Sequence, residues 1–133
     1  MTSTPKKLLA ALDIRDGHYC AWHYPGACDV ETLVPQHRAN RGMGGRPSGM
    51  VAANLIWLCS ATNGNVESDP VWAETARGRG IKISSHADPE QVPVLFPDGW
   101  YRLVGNDRVL LGEPEANELR ALAGLISGEG YAY

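Results

Sequence analysis

The run from Leu33 to Glu67, LVPQHRANRGMGGRPSGMVAANLIWLCSATNGNVE, decides how the rest of the chain is read. No acidic residue lies between Glu31 and Glu67, whereas His37, Arg38, Arg41 and Arg46 all fall inside. In a chain of net charge −3 this is a local positive patch, suited to a polyanionic partner. Gly42, Gly44, Gly45 and Gly49 mark a loop that turns sharply or whose backbone comes close to something. A short β-type run, Glu31-Thr32-Leu33-Val34-Pro35, precedes His37, and Pro35 suits the end of a strand better than its middle. Asn54 and then Asn63 follow the histidine, and that order carries the most information.

Pro35-Gln36-His37-Arg38 leading to Gly44-Gly45, then Asn54-Leu55-Ile56-Trp57-Leu58-Cys59, then Asn63, resembles the HNH endonucleases, most closely the small versions encoded by phages and prophages. The resemblance covers roughly residues 14 to 72. It implies a ββα-metal fold, in which a hairpin carries a general-base histidine and the following helix a metal ligand. It makes His37 the base, Asn54 the residue that orients the histidine loop through backbone hydrogen bonds, and Asn63 a metal ligand of the H-N-N variants. Two family positions differ. Gln36 stands where the family usually has a metal-binding His or Asp, and Glu67 stands at a further family histidine.

The resemblance also bears on Arg15-Asp16-Gly17-His18-Tyr19-Cys20, since an RDG-x-x-C run is frequent in HNH proteins with a zinc knuckle. There a Cys-x-x-Cys pair meets a second pair near the start of the metal-site helix. Here the first pair has become Cys20-x-x-His23 and the second Cys59-x-x-Thr62, and threonine does not replace a thiolate. Cys20, His23, Cys28 and Cys59 form a candidate tetrahedral Zn²⁺ set, with Cys28 as the substitute partner of Cys59. The alternative is that the three cysteines are small buried apolar residues. His18 reads as a turn residue.

For the chemistry, an imidazole with an ordinary pKa near ~6.5 is matched to taking a proton from water at neutral pH. Mg²⁺ or Mn²⁺ prefers oxygen, which the carboxamides of Asn63 and Gln36 offer. Both are neutral, so a weak site is expected. Glu67, four residues after Asn63, falls on the same helical face and restores one negative charge. Arg38, Arg41 and Arg46 on a glycine loop fit contacts to a nucleic-acid backbone. Other readings stay open: His37 as a non-catalytic phosphate contact, Asn63-Gly64 as a turn or cap, and Glu67 as part of a solvated link.

With 133 residues and 44% hydrophobic content the chain can bury one core. It contains no run of eighteen apolar residues, and Met1 to Leu12 is too lysine-bearing and too short in apolar content for a signal peptide. A soluble protein of the cytoplasm, in the host cell of a phage or prophage, is expected, with no membrane partner. The odd cysteine count points to thiols or ligands rather than a disulfide framework.

Thr4 and Pro5 open a helix with Leu8, Leu9 and Leu12 on one face, and Pro70 opens another ending near Gly78. Ile81-Lys82-Ile83-Ser84 alternates like a half-buried strand. Val92 to Phe96, Trp100 to Val104 and Arg108 to Leu111, broken by Pro97-Asp98-Gly99 and Gly105-Asn106-Asp107, read as a small β meander. A terminal helix over 114–127 places Leu119, Leu122, Ala123 and Ile126 at helical spacing.

The expected architecture is therefore α+β. Residues 1–80 form the ββα-metal unit with its N-terminal helix, and residues 81–133 form the meander and last helix packed on it. Seven of the fifteen acidic residues lie from Asp88 to Glu118, which makes that second unit a poor DNA surface and a plausible face for a phage or host protein. Two functions are expected to compete. One is a metal-dependent endonuclease acting on DNA; the other is a degenerate HNH scaffold serving as a DNA- or protein-binding regulator or inhibitor.

Overall fold

A computed structural model describes residues 4–23, 28, 32–40 and 51–125 and shows, within them, a mixed α+β architecture of four helices and two small antiparallel sheets. Arg41, Arg46 and the glycine loop between them lie outside the described residues, as do Ile126 and the tail beyond it.

Helix α1 spans Lys6–Asp16. Its apolar face is the one the leucines forecast: Leu12 is fully buried against Leu55 and Trp57, with Leu8 and Leu9 beside it. Pro5 occupies the cap position with no side-chain cap, so Thr4 does not take the role the sequence suggested. The helix ends at Gly17, whose φ of 75° is cheap only for glycine. Arg15, within the RDG run, is a helical residue buried under the chain. Its guanidinium donates to the carbonyls of Ala52 and Leu55, both at 2.7 Å, and pairs with Asp16 at 2.6 Å.

Strand β1, Leu33–His37, pairs antiparallel with β2, Leu55–Cys59, in the register Leu33↔Cys59 to His37↔Leu55. Pro35 falls mid-strand, opposite Trp57, not at the strand end. A two-stranded sheet permits this because β1 is an edge, with a side that asks for no N–H donor. All five residues of β2 are buried, as a continuous apolar run requires. A short 3₁₀ turn, Ala52–Asn54, leads into β2, and α2, Ser60–Ser68, follows it directly. Asn63 and Glu67 therefore lie one turn apart on a helix, which excludes a turn at Asn63-Gly64. Helix α3, Pro70–Gly78, begins as expected, with the Asp69 carboxylate accepting from Val71 N–H at 2.9 Å.

The meander forms as β3 Val94–Phe96, β4 Gly99–Val104 and β5 Asp107–Leu110, in that spatial order. Ile81 to Ser84 makes no strand; it contributes an isolated parallel bridge between Ala39 and Ile83. Helix α4 spans Glu113–Leu122, shorter than expected, and it buries a different face. Ala116 and Arg120 point inward, and Leu122 is 78% exposed. The Arg120 guanidinium stacks 4.4 Å from the Trp100 ring, so a cation–π contact takes the place of a leucine stripe.

One buried cluster joins Cys20, Ile56, Leu58 and Val66 to Ile81, Val94, Phe96 and Leu103, so the meander and the first sheet share their core. Gly80 makes the connection. Its φ is 71° and a Cβ there would collide with the Pro93 carbonyl, which lets the chain turn back while Leu95 N–H donates to Arg79 O at 2.9 Å.

Candidate active site

Asn54 is fully buried at the mouth of the β1–β2 pair. Its Oδ1 accepts from Ala39 N–H at 2.8 Å and its Nδ2 donates to Ala39 O at 3.0 Å, while its own carbonyl accepts from Arg38 N–H at 2.7 Å. Three bonds thus fix the backbone immediately after His37. His37 is half-buried at the last position of β1, and its imidazole has no hydrogen-bond partner among the described residues. Burial first, and then the nearby Lys82 charge, hold it below its ordinary pKa and favour the neutral ring.

Arg38 corrects the sequence reading. It was expected to contact a nucleic-acid backbone, yet it is 1% exposed and points into the protein. Nε donates to Gly80 O at 2.8 Å, Nη1 to Ala53 O at 3.0 Å and Pro89 O at 2.7 Å, and Nη2 to Val92 O at 2.7 Å. Burial, with Arg15 adding repulsion, lowers its pKa to about 9, so it stays charged at neutral pH. Four carbonyls from three separate loops converge on one guanidinium, which fastens the 80–92 segment to the strand bearing His37. The positive patch loses this member, and Arg41 and Arg46 lie outside the described residues.

The same fastening brings in a residue that the sequence reading passed over. Ile83 N–H donates to Arg38 O at 3.0 Å, which sets Lys82 beside β1. Lys82 Nζ lies 3.4 Å from His37 O and 3.4 Å from Glu67 Oε1. Its signal was the alternation Ile81-Lys82-Ile83, in which Ile81 is buried and Lys82 and Ile83 are half-buried.

Glu67 was expected as a metal ligand; its exposed carboxylate is engaged by Lys82. Asn63, one turn earlier on the same face, has a buried Oδ1 with no hydrogen-bond partner among the described residues. An orphaned carbonyl oxygen costs about 1–3 kcal/mol, and it suits a hard cation. Gln36 pairs across the sheet with Ile56. On this face Asn63 thus offers one neutral amide oxygen, and the carboxylate a turn later is shared with a lysine.

A second cluster lies at the far end of β2. The sulfurs of Cys20, Cys28 and Cys59 are all within 4.8 Å of one another, and the Cys59 N–H points at Cys20 Sγ at 3.4 Å. His23 is not part of that cluster. Its Nε2 is 2.9 Å from Thr62 Oγ1, and Thr62 Oγ1 is 3.1 Å from Cys59 Sγ, so one hydroxyl separates the imidazole from the thiols. Burial pushes the Cys28 thiol up to about 12, with Cys20 and Cys59 adding to it. Burial also pushes Cys59 up, but hydrogen bonds with Thr62, and then with Cys28 and Cys20, together outweigh this and leave Cys59 below its ordinary value. Three convergent sulfurs, one of them acidified, fit a soft or borderline metal ion.

Comparison with protein-family models, with curated proteins and with solved structures returned no match to this chain. Among the described residues no helix is long and apolar enough to cross a membrane.

Proposed function

We propose that the chain is a metal-assisted nuclease of the HNH type, hydrolysing DNA phosphodiester bonds with His37 as general base. The observation that carries the reading is the buried, unpartnered Oδ1 of Asn63, on the helical face whose next turn, Glu67, meets Lys82 at the edge of His37. Bound by Asn63 with Gln36 or Glu67, Mg²⁺ or Mn²⁺ would supply charge neutralisation at the phosphate. His37, kept neutral by burial and by Lys82, accepts a proton from the attacking water. Asn54 positions rather than reacts: its bonds to Ala39 hold the end of β1 so that the imidazole keeps one direction.

A structural Zn²⁺ on Cys20, Cys28 and Cys59 belongs to this reading, with His23 completing the set by leaving Thr62. It would staple the segment around Cys20 to the start of α2. The protein would act in the cytoplasm of a phage's host, and the acidic C-terminal unit would offer a face to a phage or host protein.

One observation favours a second reading, a binding scaffold without turnover. Gln36 is neutral and Glu67 is already paired, so neither residue proposed to join Asn63 brings an uncommitted carboxylate. Supercoiled plasmid incubated with Mg²⁺ or Mn²⁺ separates the two. Chelator-sensitive nicking is expected for the nuclease; retention of plasmid with no nicking in either metal identifies the scaffold.

A further inference from the structure

We infer that the ammonium group of Lys82 is the phosphate-binding cation beside His37 and holds a phosphodiester oxygen there without a divalent ion. The inference rests on the proposed reading that the end of β1 at His37 receives a nucleic-acid backbone. It goes further by naming the group that takes the charge.

The lysine's place is built in. Ile81 N–H and Lys82 N–H both donate to Ala76 O, at 2.9 and 3.2 Å, at the end of α3, and Ile83 N–H donates to Arg38 O. Its backbone is therefore held on both sides, and the Ala39–Ile83 bridge sets it against the end of β1. Arg38, the neighbouring cation in sequence, is turned inward and spent on four carbonyls. Lys82 is thus the exposed-side cation next to His37 among the described residues.

Its present partners are weak. An ammonium has three donors, and its contacts with His37 O and Glu67 Oε1 both sit at 3.4 Å, the long end of the hydrogen-bonding range. The lysine side chain is 27% exposed while that of Glu67 is 61% exposed. The carboxylate is therefore the solvated, exchangeable member of the pair. A phosphodiester oxygen can take its place at the ammonium, and Glu67 then turns to solvent or to a cation at Asn63. No bond is made or broken; one anion replaces another on a fixed cation.

The test is fluorescence anisotropy of a short labelled DNA duplex in excess chelator, over a salt series. It compares wild type, Lys82→Ala, Lys82→Arg and Glu67→Gln, with thermal melts to confirm folding. Wild type is expected to bind without metal. Lys82→Ala should bind about tenfold more weakly, with the salt slope reduced by about one, and Lys82→Arg should recover most of the loss.

Glu67→Gln should bind a few-fold more tightly, because the competing carboxylate is gone. A pair that serves only the fold would give equal losses for Lys82→Ala and Glu67→Gln, and that result overturns the inference. So does wild type that fails to bind in chelator, or a folded Lys82→Ala that binds like wild type. Lys82-dependent binding without cleavage in metal would remove the hydrolysis reading and leave Lys82 standing; cleavage with Lys82-independent binding would do the reverse.

Discussion

Replacing Arg38 with methionine separates the structure's account of this residue from a surface role. The side chain keeps its length and loses its five donors, leaving the carbonyls of Gly80, Ala53, Pro89 and Val92 without their guanidinium. Hydrogen bonds to a charged group contribute roughly 1.5–3 kcal/mol each. Part of that total is recovered, because the variant no longer buries a charge. A net loss of about 4 kcal/mol is expected, among the largest that single substitutions give.

At about 3–5 °C per kcal/mol for a chain of this size, the melting midpoint should fall by about 12–20 °C. Arg38→Lys should fall about half as far, since one ammonium cannot reach acceptors spread around a planar fork. Circular dichroism melts with urea denaturation measure both. A midpoint within about 2 °C of wild type, accompanied by weaker DNA retention, would refute the reasoning and return Arg38 to the surface role its sequence context suggests.

Other expectations follow from the same geometry. Asn54→Ala leaves the Ala39 N–H and C=O buried without partners and should cost about 2–3 kcal/mol in urea denaturation. One zinc per chain is expected by metal analysis of the purified protein, and chelation or Cys59→Ser should lower the melting midpoint, with metal release between the two states. His37 is depressed below its usual value, so the acid limb of plasmid nicking should lie below pH ~6.5. In stability the same shift acts in one direction. The unfolded chain binds the proton first, so stability is lost as pH falls below ~6.5 towards the folded value. His37→Ala should flatten that decline.

Much of the scaffold was legible because it rests on local chemistry. Asp69-Pro70 opens α3, Pro97-Asp98-Gly99 and Gly105-Asn106 separate the meander strands, and an all-apolar Leu55–Cys59 makes a buried strand. Asn54 bonds both the N–H and the C=O of Ala39, two residues past His37. What the chain hid was decided by partners far away in sequence. Arg38 looks like part of a positive patch when formal charges are counted, but its acceptors come from 53, 80, 89 and 92, which no window around it contains.

Lys82 reaches His37 only because that clamp draws the 81–83 segment alongside β1. The error in α4 has a similar cause. Its leucines have helical spacing, but Trp100 offers Arg120 a ring to stack on, and Leu122 is left outside. His23 has the right spacing from Cys20, yet the hydroxyl of Thr62 stands between it and the sulfurs.

The most direct measurement is the initial rate of plasmid nicking in saturating Mn²⁺ by wild type and by His37→Ala prepared alike. Removing a general base costs typically 10²–10⁴-fold, so nicking by the variant should drop by about that factor while its melting midpoint stays within about 2 °C. Equal rates for the two proteins, or no nicking by wild type at any Mn²⁺ concentration, would contradict the assignment of His37 as the base of a phosphodiester-cleaving site.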